Sequence, residues 1–111
     1  MSGTPKVKLP LLLVDDDDEI RAQMKWALAG DYDVLPAADQ ETAVATFAER
    51  RPPVVLLDLG LPPSPNTPDE GLAVLARILG LEPTSKIIVV TGQADREVAL
   101  RTVGAGAYDF L

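Results

Sequence analysis

The residues able to do chemistry in this sequence are almost all oxygen donors. Histidine and cysteine are both absent, which removes the commonest general base, the thiolate nucleophile and the usual transition-metal ligands. The acids that remain are placed at particular points. Asp15 and Asp16 directly follow the apolar run 11–14 (Leu-Leu-Leu-Val), Asp58 directly follows 54–57 (Val-Val-Leu-Leu), and Thr91, with Gly92 after it, closes the run that starts at Lys86. If each run is a strand, carboxylates from two strands and a hydroxyl from a third converge on one edge of a sheet. Crowded carboxylates repel one another, and a hard divalent cation is their natural neutraliser. Mg²⁺ (or Mn²⁺) suits such a site, because Mg²⁺ keeps several waters and takes one or two carboxylates together with phosphate oxygens. Gly60, two residues past Asp58, can turn its carbonyl towards the same cation, since no side chain hinders the approach. Asp58 then meets the requirements of a carboxylate nucleophile that forms an acyl phosphate. The cation would offset charge on the phosphoryl oxygens, and Thr91 would donate a hydrogen bond to one of them.

Such convergence needs a particular scaffold, and the rest of the chain supplies its pattern. The runs 11–14, 54–57 and 86–91 are short and rich in branched apolar residues without in/out alternation, as expected of strands covered on both faces of a parallel sheet. Residues 32–37 read as a weaker strand that contains Pro36 and so lies near an edge, and residues 107–111 read as the start of another. Between them, apolar residues recur at helical spacing: Ile20, Met24, Ala27 and Leu28; Ala43, Val44, Phe47 and Ala48; Leu72, Leu75, Ile78 and Leu79. Asp39 is expected to cap the second helix and Gly30 to stop the first; a weaker fourth helix spans about 95–103. Strand–helix alternation means a doubly wound α/β fold, because parallel strands need crossover helices. Residues 60–69 hold four prolines, at 62, 63, 65 and 68, and read as a stiff surface loop facing partners and standing apart from the reaction centre. In an open parallel sheet, ligands bind beyond the carboxyl ends of the strands where the strand order reverses, which is where Asp15, Asp16, Asp58 and Thr91 would lie.

Bulk properties narrow the class further. The 111 residues make one domain, with residues 1–7 expected to be flexible. A net charge of −7 argues against direct binding of nucleic acid or an anionic membrane by this domain. No apolar run approaches membrane-spanning length and no signal-peptide core opens the chain, so a cytoplasmic location is expected.

The blocks Val14-Asp15-Asp16, 56–62 (Leu-Leu-Asp-Leu-Gly-Leu-Pro), Val89-Val90-Thr91-Gly92 and 106–110 (Gly-Ala-Tyr-Asp-Phe), in this order and at compatible spacing, resemble those of a response-regulator receiver domain. The likeness covers about 8–111. It implies a flavodoxin-like or CheY-like sheet of five parallel strands in the order 2-1-3-4-5 and phosphotransfer from a sensor histidine kinase in a two-component phosphorelay. By position, Asp58 is the phosphoacceptor; Asp15 and Asp16 are the metal-site acids, Asp16 the direct ligand; Gly60 gives its carbonyl. Thr91 is the hydroxyl that moves onto the phosphoryl group, and Phe110 is the switch aromatic, expected to pack in the core. The wording around 58–72 resembles receivers at the head of sigma-54-dependent activators, which implies an ATPase and DNA-binding output and transcriptional regulation; a homodimer is a further partner to expect. The family's lysine would lie two positions beyond Leu111, so the chain is expected to be cut in or after its fifth strand, without the last helix.

Other readings compete for the same residues. Asp17, Asp18 and Glu19 read as a solvated acidic stretch at a helix N-terminus, where the macrodipole favours negative charge. Lys86 cannot stand in for the lysine, since it begins the strand that Thr91 ends, about 17 Å away at 3.3 Å per residue. An aspartyl-nucleophile phosphatase would carry a second acid two residues after the first, where this chain has Gly60. A pseudo-receiver that serves only as an interaction module would not need the acids. Not a turnover enzyme but a phosphate-accepting switch is the reading that these residues favour.

Overall fold

The computed structural model describes residues 7–90 and 96–111. The expectations for residues 1–6, for Thr91 and Gly92 and for Asp95 fall outside them. Nine elements follow in order: β1 (Leu9–Val14), α1 (Asp18–Leu28), β2 (Tyr32–Ala37), α2 (Gln40–Arg50), β3 (Val54–Asp58), α3 (Asp69–Leu81), β4 (Lys86–Val90), α4 (Arg96–Gly104) and β5 (Asp109–Phe110). All the strand pairs are parallel, in the order β2-β1-β3-β4-β5. The proline-containing strand β2 lies at one edge, as a residue without a backbone N–H requires.

Strand pleating divides the core between the two faces of the sheet. Leu12, Val14, Val55, Leu57, Ile87 and Val89 point to one face and pack with Phe47 of α2, Val74, Leu75 and Ile78 of α3 and Val98 of α4. Leu11, Leu13 and Val34 point to the other, where the helical residues packed against them, Met24 and Leu28, come from α1. Asp39 caps α2 through a carboxylate that accepts from the Thr42 N–H at 2.8 Å. Gly30 follows α1, whose C-cap is Ala29.

Two expectations about packing need correction. Strand β1 is buried on both faces from Leu11 onwards, but β3 and β4 are fully buried on one face only: Val54, Leu56, Ile88 and Val90 keep partial exposure. Nor does the whole stripe on α1 enter the core. Met24 and Leu28 are half-buried, whereas Ile20 is 44% exposed and no residue of α1 is fully buried. One helix about 10 Å wide covers roughly two strands spaced 4.8 Å apart, so α1 lies over β1 and β2 and leaves the far strands partly open on that side.

Candidate metal and phosphoryl site

Sheet register brings the acids together. Val14 of β1 pairs with Leu57 of β3, so the next residues, Asp15 and Asp58, leave adjacent strands side by side. The chain runs from β1 outwards to β2 and later returns to β3 on β1's other flank, so this edge is the point where the strand order reverses. Asp16 completes the group: one carboxylate oxygen from each of Asp15, Asp16 and Asp58 lies within 4.8 Å of the others. Asp15 is buried, while Asp16 and Asp58 are half-buried and reachable from solvent.

Backbone groups hold two of these carboxylates. The Asp17 N–H donates to Asp15 Oδ1 at 2.9 Å, and the Gly60 N–H donates to Asp58 Oδ1 at 3.1 Å. The turn into α1 is also fastened by Arg21, which donates to the Asp15 carbonyl at 2.8 Å and to Asp18 Oδ1 at 2.5 Å. Asp17 is the N-cap of α1, accepting from the Glu19 and Ile20 N–H groups, so the solvated-helix-terminus reading of 17–19 stands. Asp18 turns outwards, with a side chain 91% exposed.

Electrostatically the cluster is under load. Burial, above all, pushes the Asp58 carboxyl above the ordinary carboxylate value; the Gly60 N–H opposes that, and the charges of Asp15 and Asp16 add to it. Asp15 is raised too, first by burial and then by Asp16 and Asp17, against the Asp17 N–H bond and Arg21. A folded state that holds its protons to higher pH than the unfolded chain has stability below the ordinary value of 3.8 that is lost as pH rises through the raised values. In the absence of divalent cations, Asp58→Asn should therefore melt at a higher temperature than the parent at neutral pH, and the gap should close as the pH falls below 3.8. Melts of both proteins in chelator across that range check this; an unchanged gap at all pH values would show that carboxylate repulsion is not its source.

The donor set fits a hard cation: three carboxylates, with Asp15 and Asp58 raised in proton affinity by burial, no nitrogen or sulfur ligand, and partial access to solvent. A profile of the response regulator receiver domain family matches residues 11–111. This chain belongs to the response regulator receiver family. Among curated proteins, the receiver is 34% identical over 113 residues to the C4-dicarboxylate transport transcriptional regulatory protein DctD of Rhizobium meliloti, a match that takes in all of this chain and 22% of that protein. It is 30% identical to the chemotaxis protein CheY of Listeria monocytogenes, over 93% of this chain and 84% of that one. A crystal structure of a CheY-like receiver domain protein from Methanospirillum hungatei superposes with a TM-score of 0.83 at 30% identity, covering 95% of this chain and 81% of that one. The receiver thus spans about a fifth of DctD and of the regulators AtoC and NtrX, and most of CheY.

Other expected positions can be placed within the receiver. Lys86 pairs with Val54 at the far end of β3, while Asp58 pairs with Val90; its ammonium lies 4.7 Å from the centre of the Tyr108 ring, so its rejection as a phosphoryl partner holds. Phe110 pairs with Val89 on edge strand β5 but is 39% exposed, not packed in the core. An edge strand with one neighbour cannot enclose a ring on all sides. Thr91 lies outside the described residues. Sequence reasoning missed Arg21 and the glycine at 71. Arg21 stands three residues after Asp18, a helical ion-pair spacing that was there to be read. Gly71 lies in the first turn of α3, where a residue that disfavours helix signals a close backbone approach. No helix among the described residues is long and apolar enough to cross a membrane.

Proposed function

We propose that this receiver takes a phosphoryl group onto Asp58 beside a divalent cation, Mg²⁺ or Mn²⁺, and relays that change to an output domain. The observation that carries the reading is the gathering of the Asp15, Asp16 and Asp58 oxygens within 4.8 Å around a half-exposed Asp58. Asp58 is the nucleophile of choice, because its carboxylate is half-exposed and the Gly60 N–H holds one of its oxygens in place. A carboxylate oxygen of Asp58 bonds to phosphorus as the donor's own bond to phosphorus breaks (P–N in a phosphohistidine, P–O in acetyl phosphate), and the leaving group departs with the electron pair. Asp16, Asp58 and the Gly60 carbonyl would hold the cation, with the more buried Asp15 completing the negative field. When bound, the cation neutralises charge on the phosphoryl oxygens. Thr91 would supply the hydroxyl that follows the phosphoryl group, and Phe110, on the exposed edge strand, would move with it.

The donor is a sensor histidine kinase, and the likeness to transcriptional regulators favours a sigma-54-type ATPase with a DNA-binding domain as the output. A homodimer and a cytoplasmic setting go with this reading. A hydrolase reading is disfavoured by Gly60, which stands where a phosphatase's second acid would be. With acetyl phosphate as donor, the full-length protein should take up one phosphoryl group per molecule, only with Mg²⁺ or Mn²⁺ present. It should release no phosphate from simple phosphomonoesters. Labelling indifferent to chelator, or steady monoester turnover, would overturn the proposal.

A further inference from the structure

The proline-rich stretch 62–68 is exposed along 62–67, yet it is not detached from the acids. A Cβ built on Gly60 would stand 2.5 Å from the Pro65 carbonyl oxygen, and one built on Gly71 would stand 2.3 Å from Leu59 Cα. Backbone atoms make both approaches, so a side chain could be admitted only by moving the main chain. The Leu59 carbonyl also accepts from the Leu61 and Gly71 N–H groups, at 3.0 and 3.1 Å. Leu61 is completely buried. From that anchor the loop turns back on itself: the Ser64 N–H donates to the Leu61 carbonyl and the Thr67 N–H to the Ser64 carbonyl. Residues 59 and 60 are therefore gripped from the α3 side by Gly71 and from the loop side by Pro65, while the Gly60 N–H holds the Asp58 carboxylate.

We propose that the 62–68 loop is a positioning element of the metal site, fixing the Gly60 peptide, and through it the Asp58 carboxylate, by the contact of the Pro65 carbonyl with Gly60. This proposal departs from the expectation that the loop stands apart from the reaction centre, and it rests on the phosphoacceptor reading above. Four prolines suit the role, since a stiff loop loses less entropy when held in one conformation. Glycine at position 60 is explained by the same contact: any larger residue would push Pro65 away.

The test compares the parent chain, Gly60→Ala, a chain lacking residues 64–66, and the double variant. Mg²⁺ affinity is read by calorimetry, and hydrogen exchange of the backbone N–H at position 60 is read without metal. Groups that orient metal ligands are worth about 10–100-fold in metal affinity, so each single change should weaken Mg²⁺ binding by about that much and speed the exchange. The double variant should bind no more weakly than the poorer single one, because both changes break one contact. Parental affinity and parental exchange in the chain lacking 64–66, or losses that multiply in the double variant, would overturn the proposal. If Gly60→Ala does not fold, the loop deletion alone decides. A parent that binds no Mg²⁺ would defeat the phosphoacceptor reading, while the exchange measurement still decides whether the loop holds position 60.

Discussion

Asp16→Ala should abolish Mg²⁺ binding, and Asp18→Ala should leave it nearly unchanged. The two residues belong to one acidic run, so composition alone would treat them alike. Geometry separates them: the Asp16 carboxylate stands within 4.8 Å of those of Asp15 and Asp58, whereas Asp18 faces solvent and pairs with Arg21. Two unit charges at that separation interact by roughly 3 kcal/mol at an effective dielectric constant of about 20. On the proposed reading, removing Asp16 would take away a direct ligand and also the repulsion that a cation would relieve, so both effects would weaken binding. A loss of at least about two powers of ten is the scale expected. Calorimetry is the proper measurement, because Trp26 is 86% exposed on α1 and its fluorescence would report weakly. A second readout is the melting temperature. At Mg²⁺ about 100 times the parent's dissociation constant, binding stabilises the parent by roughly 2.7 kcal/mol, and Asp16→Ala should show none of this. Equal losses in the two variants would mean that the whole run acts as a diffuse cation trap.

How much of this could be read before the structure depends on the range of the information. Apolar runs without alternation, separated by helical stripes, determine a parallel doubly wound sheet, because few other arrangements bury them. Once Asp15 and Asp58 are each placed one residue past such a run, parallel register almost forces them together, and Val14 does pair with Leu57. Pro36 likewise placed β2 at an edge, since a missing N–H is a local fact.

What was not legible is packing set by distant parts of the chain. Periodicity marks Ile20 and Met24 alike, but it cannot say how wide a face α1 must cover, and Ile20 stays exposed. Phe110 looks like a core residue by type, yet its strand has one neighbour and its ring is partly open. The loop shows the same limit. Its prolines announced stiffness, but nothing local reveals that the Pro65 carbonyl returns to Gly60. Arg21 joins a backbone carbonyl six residues earlier to a carboxylate three residues earlier; only the second has a sequence signature.

Asp58→Asn should remove phosphorylation altogether, and mapping the modified residue tests the central claim most directly. Among the three clustered acids, Asp15 is buried with an oxygen held by the Asp17 N–H, and Asp16 is assigned to the cation, which leaves Asp58 to attack phosphorus. An amide at position 58 keeps the shape and can still accept from the Gly60 N–H. It lacks the charged oxygen that must form the acyl phosphate, so no partial activity is expected. The measurement uses the full-length protein, treated with acetyl phosphate and Mg²⁺. The acyl phosphate is then trapped by reduction, and its position is located by mass spectrometry of the digested protein. The account predicts a single modified residue, Asp58, and an Asp58→Asn chain that carries none. Label found on Asp15, Asp16 or another residue, or label that persists in Asp58→Asn at the parental level, would contradict it.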